Sequence, residues 1–432
     1  MKEQVNDGFK SLIGNLGNPE RDKRAGLQFA DEQIDDEQLI SAYTFNWIAK
    51  KIITIPAEDS LRQWRKWSGD DAKAIHTEEQ RLGLECKLNE ALTKARLFGG
   101  AAIYIGTDQE QSEALDVESI GLGDIKYLTV LTRRELQAGE LEQDPQNEFY
   151  GKPKEYTISG GSGDAIHPSR FALLNGDEVA DTWLASGMSY GWGESVLKST
   201  SEAIKNAGGT FANVASLVYE SNIDVIGVPD LMDNIGQEGY ENNLLKRFSL
   251  AAMGKGINGT LIMDALETYN RKSTSFAQLT EIMSTFSLHC AAAADIPATR
   301  FLSQSASGLT ATGEGDMKNY HDKLKSMQKL KIQPAMHLLD LCLVRSALNS
   351  YPDDVSCEWN PLEQMSEEQI AGIEKTKAES LKIVAELDTA IIPMPVIYEQ
   401  QRKMGLFDGT DIATFADFES ALAKQAESME MA

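Results

Sequence analysis

The chain has 432 residues, 42% hydrophobic and 25% charged, which excludes a disordered polymer and leaves room for two or three folded units. Its 66 acidic residues outnumber 41 basic ones, and a formal net charge of −25 disfavours loose binding along nucleic acid. Apolar runs such as 101–105 fall far short of the ~20 residues of a membrane-crossing helix, and the first residues lack the basic and apolar regions of a secretion signal, so folding inside a cell is expected.

Residues 1–40 mix Gly, Asn and charge and read as an arm. From Ala42 to Trp67 apolar residues recur at helical spacing (Phe45, Ile48, Ile52), with Pro56 interrupting before LRQWRKW resumes the pattern. Leu84 to Phe98 is a second predicted helix, with Leu84, Leu88, Ala91, Leu92 and Ala95 on one face and Gly99-Gly100 as its stop. AAIYIG, IKYLTVLT and EYTIS have the composition of strands, and IHPSRFALLNG opens on an extended piece because the residue before Pro168 avoids the α region. These make an α+β unit.

A Gly-aromatic loop, 187–193, then delivers a helix from Glu194 to about Tyr219, whose apolar face runs Val196, Ala203, Ile204, Ala207, Phe211, Val214 and Val218. A compact insert follows over 221–275: a strand around 224–228, a helix over about 240–253 and a strand around 260–263. A return helix is expected over 276–294. Beyond Pro297 lies TRFLSQSASGLTATGEG, a long polar segment with few apolar anchors. The next helix, 316 to about 348, should kink at Pro334. VSCEW has the look of a short strand, and helices are expected over 367–387 and 395–404 before an acidic tail.

Charge is segregated. Residues 351–432 hold 17 acids and 6 bases, whereas 297–349 hold 4 acids and 7 bases. In that basic stretch Lys318, Lys325 and Lys329 share a helix face, which is either a solvated surface or one that meets a polyanion.

Chemistry-bearing patterns are sparse. GLTATGEGD precedes a helix but lacks the Gly-Lys-[Ser/Thr] ending of a phosphate loop. GWGES is not G-x-S-x-G, and no strand leads into Ser195. The five histidines form no H-x-x-x-H pair, and Cys86, Cys290, Cys342 and Cys357 lie far apart, so neither metal nor disulfide framework is signalled and reduced thiols are expected. No cofactor is expected.

The segment DIPATRFLSQSASGLTATGEGDMKNYHDKLKSMQ resembles tailed-bacteriophage portal proteins, in a branch known first as a phage-associated domain of unknown function. The matching residues are Ile296, Pro297, Thr299, Gly308, Leu309, Ala311, Thr312, Gly313, Glu314, Asp316, Tyr320, Asp322 and Gln328. LNEALTKARLFGGAAIYIG, IHPSRFALLNG, GWGESVL and IMDALETYNR are similar to further landmarks in the same order, so the resemblance covers about 40–350; Ser303-Gln304 departs from the usual Gly-x.

The resemblance implies a portal fold: an arm (1–40), the first part of an α/β wing (41–192), a stem helix (193–220) and a small α/β clip (221–274). A second stem helix (275–296), a tunnel loop (297–315), a long kinked helix with a return strand (316–365) and a helical crown with the acidic tail (366–432) complete the order. It implies no enzyme but a homo-oligomeric ring, most often of twelve copies, at one capsid vertex of the virion, assembled in the host cytoplasm. Double-stranded DNA would pass through it during packaging and ejection. Expected partners are the terminase large subunit, the major capsid or scaffolding protein and a head-tail adaptor, with no membrane. Around the channel the resemblance points to Arg300, Ser303, Gln304, Ser305, Ser307, Thr310, Thr312, Lys318 and Lys325. At the clip it points to Lys246, Arg247, Arg271 and Lys272, expected to be exposed to the motor and adaptor. Ala203, Ala207 and Gly208 suit close stem packing in the ring. The competing reading is a hydrolase or nucleotide-dependent enzyme built on the Gly-rich 308–315 loop.

Overall fold

The structure is a computed structural model. It describes residues 34–146, 150, 153–161, 163–179, 191–219, 222–234, 237, 239–254, 266, 268–273, 276, 278–303, 313–352, 354–363, 371–373, 375–377, 379, 394–403, 414, 416 and 420. By internal contacts the chain divides into two units, 1–362 and 363–432.

The larger unit is α+β, built from helices around a small antiparallel sheet. Helix α1 (Asp36–Phe45) starts where the Asp35 carboxylate accepts the Gln38 amide at 2.7 Å, and its Leu39 is buried. Residues 36–40, read from sequence as the end of an arm, therefore begin a packed helix. Asn46 ends α1 and caps α2 (Trp47–Leu61), its side-chain oxygen accepting the Ile48 and Ala49 amides. Pro56 does not break α2. Lacking an N–H, it leaves the Ile52 carbonyl without its helical partner, and the Arg96 guanidinium donates to that carbonyl at 2.9 Å and to Ile53 at 3.1 Å. Burial lowers the Arg96 pKa from its ordinary value.

LRQWRKW does not resume the helix. Residues Arg65–Ser68 form strand β1, whose alternate residues Arg65 and Trp67 are buried. Helix α3 (Ala72–Leu82) and helix α4 (Leu84–Phe98) follow, separated by Gly83 at φ +62°. Strand β2 (Gly100–Gly106) is the centre of the sheet, flanked by β3 (Tyr127–Thr132) and, after the small hairpin of β4 (Leu136–Ala138) and β5 (Tyr156–Ile158), by β6 (Phe171–Asn175). Both neighbours are antiparallel to β2, with Ile103 opposite Val130 on one side and Ala172 on the other.

The period of two along β2 divides the core. Ala101, Ile103 and Ile105 join the largest apolar cluster, with Leu84, Leu88, Ala91 and Leu92 of α4 and Met336, Leu339 and Leu343. Ala102 and Tyr104 face the opposite layer, with Tyr156, Phe171 and Trp192. The buried Arg170, in the 3-10 turn before β6, donates to the Glu113 and Glu110 carbonyls and to Thr107, which fixes the connection leaving β2.

At the end of β6 three backbone segments cross with no room for side chains. The Gly176 amide donates to the Gly99 carbonyl at 2.9 Å, and Asp177 and Glu194 exchange backbone hydrogen bonds. A Cβ on Gly176 would lie 2.4 Å from the Glu194 carbonyl, and one on Gly193 2.5 Å from the Asp177 carbonyl. Glycine is required at this crossing because backbone atoms cannot yield.

From it rises α5 (Val196–Tyr219), its first turn capped by the Ser195 hydroxyl, which accepts the Leu197 amide. The chain continues through β7 (Asn222–Gly227), the short α6 (Leu231–Asn234), α7 (Tyr240–Gly254) and β8 (Thr268–Ser273), then returns along α8 (Leu279–Ala293). The sequence reading did not anticipate β8; the strand it placed at 260–263 lies outside the described residues. Helix α9 (Ala298–Leu302) is followed, across residues 304–312, by α10 (Glu314–Met327), a π turn over Gln328–Ile332, and α11 (Gln333–Leu348). The interruption expected at Pro334 falls one turn earlier, as a π turn in which the Gln333 amide donates to the Gln328 carbonyl, and Pro334 itself sits in the first turn of α11. Strand β9 (Ser356–Trp359) closes the unit by pairing with β1.

A buried charge network joins β1, α3 and α11. The Arg65 guanidinium lies 2.8 Å from the Glu79 carboxylate and 2.7 Å from that of Asp340, and the indole N–H groups of Trp64 and Trp67 both donate to Glu79 at 3.0 Å. Burial raises the Asp340 pKa, with Arg65 opposing it.

In the second unit, Met394–Lys403 forms helix α12, close to the expected 395–404. Of the helix expected over 367–387, residues 371–373, 375–377 and 379 are described, and they are helical. No helix among the described residues is long and apolar enough to cross a membrane.

Candidate functional site: the stem pair, its tip and the loop roots

Helices α5 and α8 pack along each other. Ala207 of α5 is fully buried and Ala203 half-buried, and the Cys290 thiol of α8 donates to the Ala203 carbonyl at 3.3 Å. These two alanines, read from sequence as contacts between copies, pack the two helices of one chain. Gly208 is exposed, and a Cβ there would meet nothing within 4 Å, so of the three it alone presents a small outward surface.

At the tip, β7 and β8 pair antiparallel, setting Arg271 opposite Asp224 and Lys272 opposite Ile223. The side chains of Arg271 and Lys272 lie outside the described residues. On α7 Lys246 is exposed, whereas Arg247 is half-buried with its guanidinium 5.7 Å from the Phe248 ring centre. Expected exposure therefore holds for Lys246 and not for Arg247, whose stem is drawn onto its aromatic neighbour.

The polar segment after Pro297 begins as helix α9, not as loop. Arg300, placed by the sequence reading at a channel, forms a two-pronged ion pair with the buried Asp59 of α2, Nε and Nη2 each 3.0 Å from a carboxylate oxygen. The hydrogen bonds it donates to Asp59 raise the Arg300 pKa. Lys51, one face of α2 away, donates from Nζ to the Phe301 carbonyl at 2.6 Å, its ammonium over the rings of Trp47 and Phe301. Ser303 closes α9 in the left-handed region at φ +55°. Gln304, Ser305, Ser307, Thr310 and Thr312 lie outside the described residues.

On the far side, Gly313 at φ +69° opens α10. The buried Tyr320 donates its phenol proton to Asp59 Oδ2 at 3.1 Å, and burial together with that carboxylate raises the Tyr320 pKa. Gln328 donates to the Ser60 carbonyl at 2.6 Å. Lys318, Lys325 and Lys329 are all exposed; Lys325 lies 3.6 Å from Asp322. Sequence reasoning missed Asp59 and Lys51, and it named Gln328 as a motif residue without its contact to Ser60, because their partners stand some 240–270 positions away.

A cleft of about 460 Å3 opens beside Arg96, Asp177, Ser199, Lys323 and Lys331. Its cations are engaged: Lys323 with Asp295 at 3.0 Å, Lys331 with Glu178 at 3.4 Å, and Arg96 with the α2 carbonyls. Ser195 caps a helix, and no cluster of His, Cys, Asp or Glu suited to a metal occurs among the described residues.

This order of elements, two long helices bracketing a small α/β tip, then a short helix and a broken long helix, defines a portal-type fold. A family model described as phage portal protein matches residues 37–383, and the chain belongs to that family. It is 36% identical over 88% of its length to a Caulobacter protein named "Anti-CBASS protein Acb1", of which it spans 63%. It is 30% identical over 93% of its length to an uncharacterized protein of Haemophilus influenzae, of which it spans 91%. Among solved structures it is similar in fold to a chain of the neck of a native gene transfer agent particle computed with C12 symmetry. That match has a TM-score of 0.52 and 12% identity, and covers 88% of this chain and 97% of that one.

Proposed function

We propose that the protein is the subunit of a homo-oligomeric ring, of twelve copies, that conducts double-stranded DNA into and out of a capsid through one vertex. The observation that carries this reading is the chain's own order of stem helix, paired-strand tip, returning stem helix and twin-rooted segment, in a chain of the portal family. Twelve copies at −25 would bring a net charge near −300, and a mostly acidic passage repels the DNA backbone, letting a duplex slide without dwelling.

Within this reading residues 303–312 border the channel, with Lys318 and Lys325 near them, and the tip bearing Lys246, Arg247, Arg271 and Lys272 meets the terminase large subunit during packaging and the head-tail adaptor afterwards. The wing meets the capsid or scaffolding protein. Two experiments test it. Twelve copies of 47.5 kDa should appear as a ring of about 570 kDa by mass photometry, and a single compact protomer at all working concentrations would end the proposal. Deleting 303–312 should leave rings intact while DNA packaging or retention fails; normal packaging by the deletant would remove that segment from the channel.

An enzymatic role is the second reading, left open by the Caulobacter relative, whose name is not that of a portal protein. The 63% of that relative which this chain spans leaves the seat of the named activity open. Phosphate release from a panel of nucleotides separates the two readings: a conduit gives none, whereas turnover abolished by substitutions in 308–315 establishes the enzyme.

A further inference from the structure

The two chain ends that flank residues 304–312 are both tied to one carboxylate. Arg300 lies three residues before Ser303, and Tyr320 seven residues after Gly313. Asp59 receives the guanidinium of the first on both oxygens, at 3.0 Å each, and the phenol of the second on Oδ2 at 3.1 Å. Asp59 is 5% exposed and Tyr320 4%. Two further bonds run from the same helix to the same two segments: Lys51 to the Phe301 carbonyl and Gln328 to the Ser60 carbonyl. A helix that is packed into the core along its length therefore serves as a common mount for both ends.

We propose that Asp59 is the positioning residue that fixes the two roots of the 304–312 segment relative to each other. The physical basis is the sharing of one acceptor. A carboxylate that accepts three charge-assisted or phenolic hydrogen bonds in a buried setting has a narrow range of orientations in which all are made, so displacement of α9 strains the bond to α10 and the reverse. Neither root moves alone. Arg300 thus acts within the protomer, as the arm that carries the position of α9 back to α2, and its charge is already matched by Asp59. The inference deepens the conduit reading, since it concerns how that segment is held, but the juxtaposition itself stands independently of what passes the segment.

The test is amide hydrogen exchange of the purified full-length protein, followed by peptide. In Asp59→Asn, whose neutral amide cannot hold both the guanidinium fork and the phenol, exchange should rise at least tenfold in both 298–303 and 313–320 while 84–98 and 100–106 keep wild-type rates. Glu79→Gln, which perturbs another buried ion pair, should loosen 65–68 and 72–82 and leave 298–303 unchanged; that contrast is one a general loss of stability would not produce. If Asp59→Asn fails to fold, Arg300→Lys keeps the charge, loses the two-pronged bond and should show the same paired rise at smaller amplitude. Exchange unchanged at both roots, or raised at one root only, overturns the proposal. DNA retention by particles carrying the 303–312 deletion reports separately on the conduit reading, so failure of one is distinguishable from failure of the other.

Discussion

Replacing Arg65 by Met would remove the cation from between two buried carboxylates while keeping most of the side-chain volume. The Arg65 and Glu79 side chains are each 3% exposed and Asp340 16%, so water cannot take over the lost contacts. Breaking a buried pair by removing one partner costs about 3–5 kcal/mol, because the charge left behind is unmatched. For a folded unit of this size that corresponds to a fall in Tm of roughly 4–7 °C. The pH dependence has a definite sign. Burial already raises the Asp340 pKa above its unfolded value with Arg65 opposing, and loss of Arg65 raises it further. A carboxyl that binds its proton more tightly when folded makes stability fall as pH rises through the window between its unfolded and folded values. The defect of Arg65→Met should therefore be larger at pH 8 than at pH 5. Denaturant titration followed by tryptophan fluorescence is well placed, since Trp64 and Trp67 flank the guanidinium. Removing all three charges together, with Glu79→Gln and Asp340→Asn added, should recover part of the loss. A single variant costing under about 1 kcal/mol, or a triple variant worse than the single, would refute the reasoning.

Arg96→Met should cost about 1–3 kcal/mol by leaving the Ile52 carbonyl unpaired, and Pro56→Ala, which restores an N–H to α2, should recover part of it; equal losses in both backgrounds in urea would contradict the pairing. Gly208→Ala should stabilise the protomer by up to about 1 kcal/mol through helix propensity, whereas Gly100→Ala, whose Cβ would fall 2.2 Å from the Trp192 ring, should destabilise it, as thermal denaturation will show. Thiol titration of the native protein should find Cys86 reacting first, with the buried Cys290 and Cys342 silent and Cys357, its thiol pushed up to about 12, slow; a fast Cys357 would contradict its placement.

What could be read in advance follows from the range of the interactions involved. Helix α4 and strand β2 are written in local periodicity, one apolar stripe and one continuous apolar run, and both lie where the pattern puts them. Strand β1 was misread because Leu61, Trp64 and Trp67 recur at helical spacing, whereas the strand's buried face is Arg65 and Trp67; the deciding partner, β9, is some 290 residues further on. The end of the arm was misread from its mix of Gly, Asn and charge, although Asp35 is the cap that starts α1 and Leu39 the residue that anchors it. Strand β8 is TYNRKS, with no apolar alternation, and exists by pairing with β7. At the candidate site the Gly/Ser/Thr-rich segment was visible as composition, but its mount on Asp59 was not, since a lone aspartate in an apolar helix gives no sign of which distant arginine or tyrosine it will meet.

The crossing of Gly99, Gly176 and Gly193 at the foot of α5 has a further consequence. The angle at which that long helix leaves the sheet is set by main-chain atoms in direct contact, and no neighbouring side chain intervenes to be worn away by substitution. Were copies of this chain to assemble as proposed above, a pivot made of backbone alone would hold each at one inclination, and a single added methyl group there would tilt it.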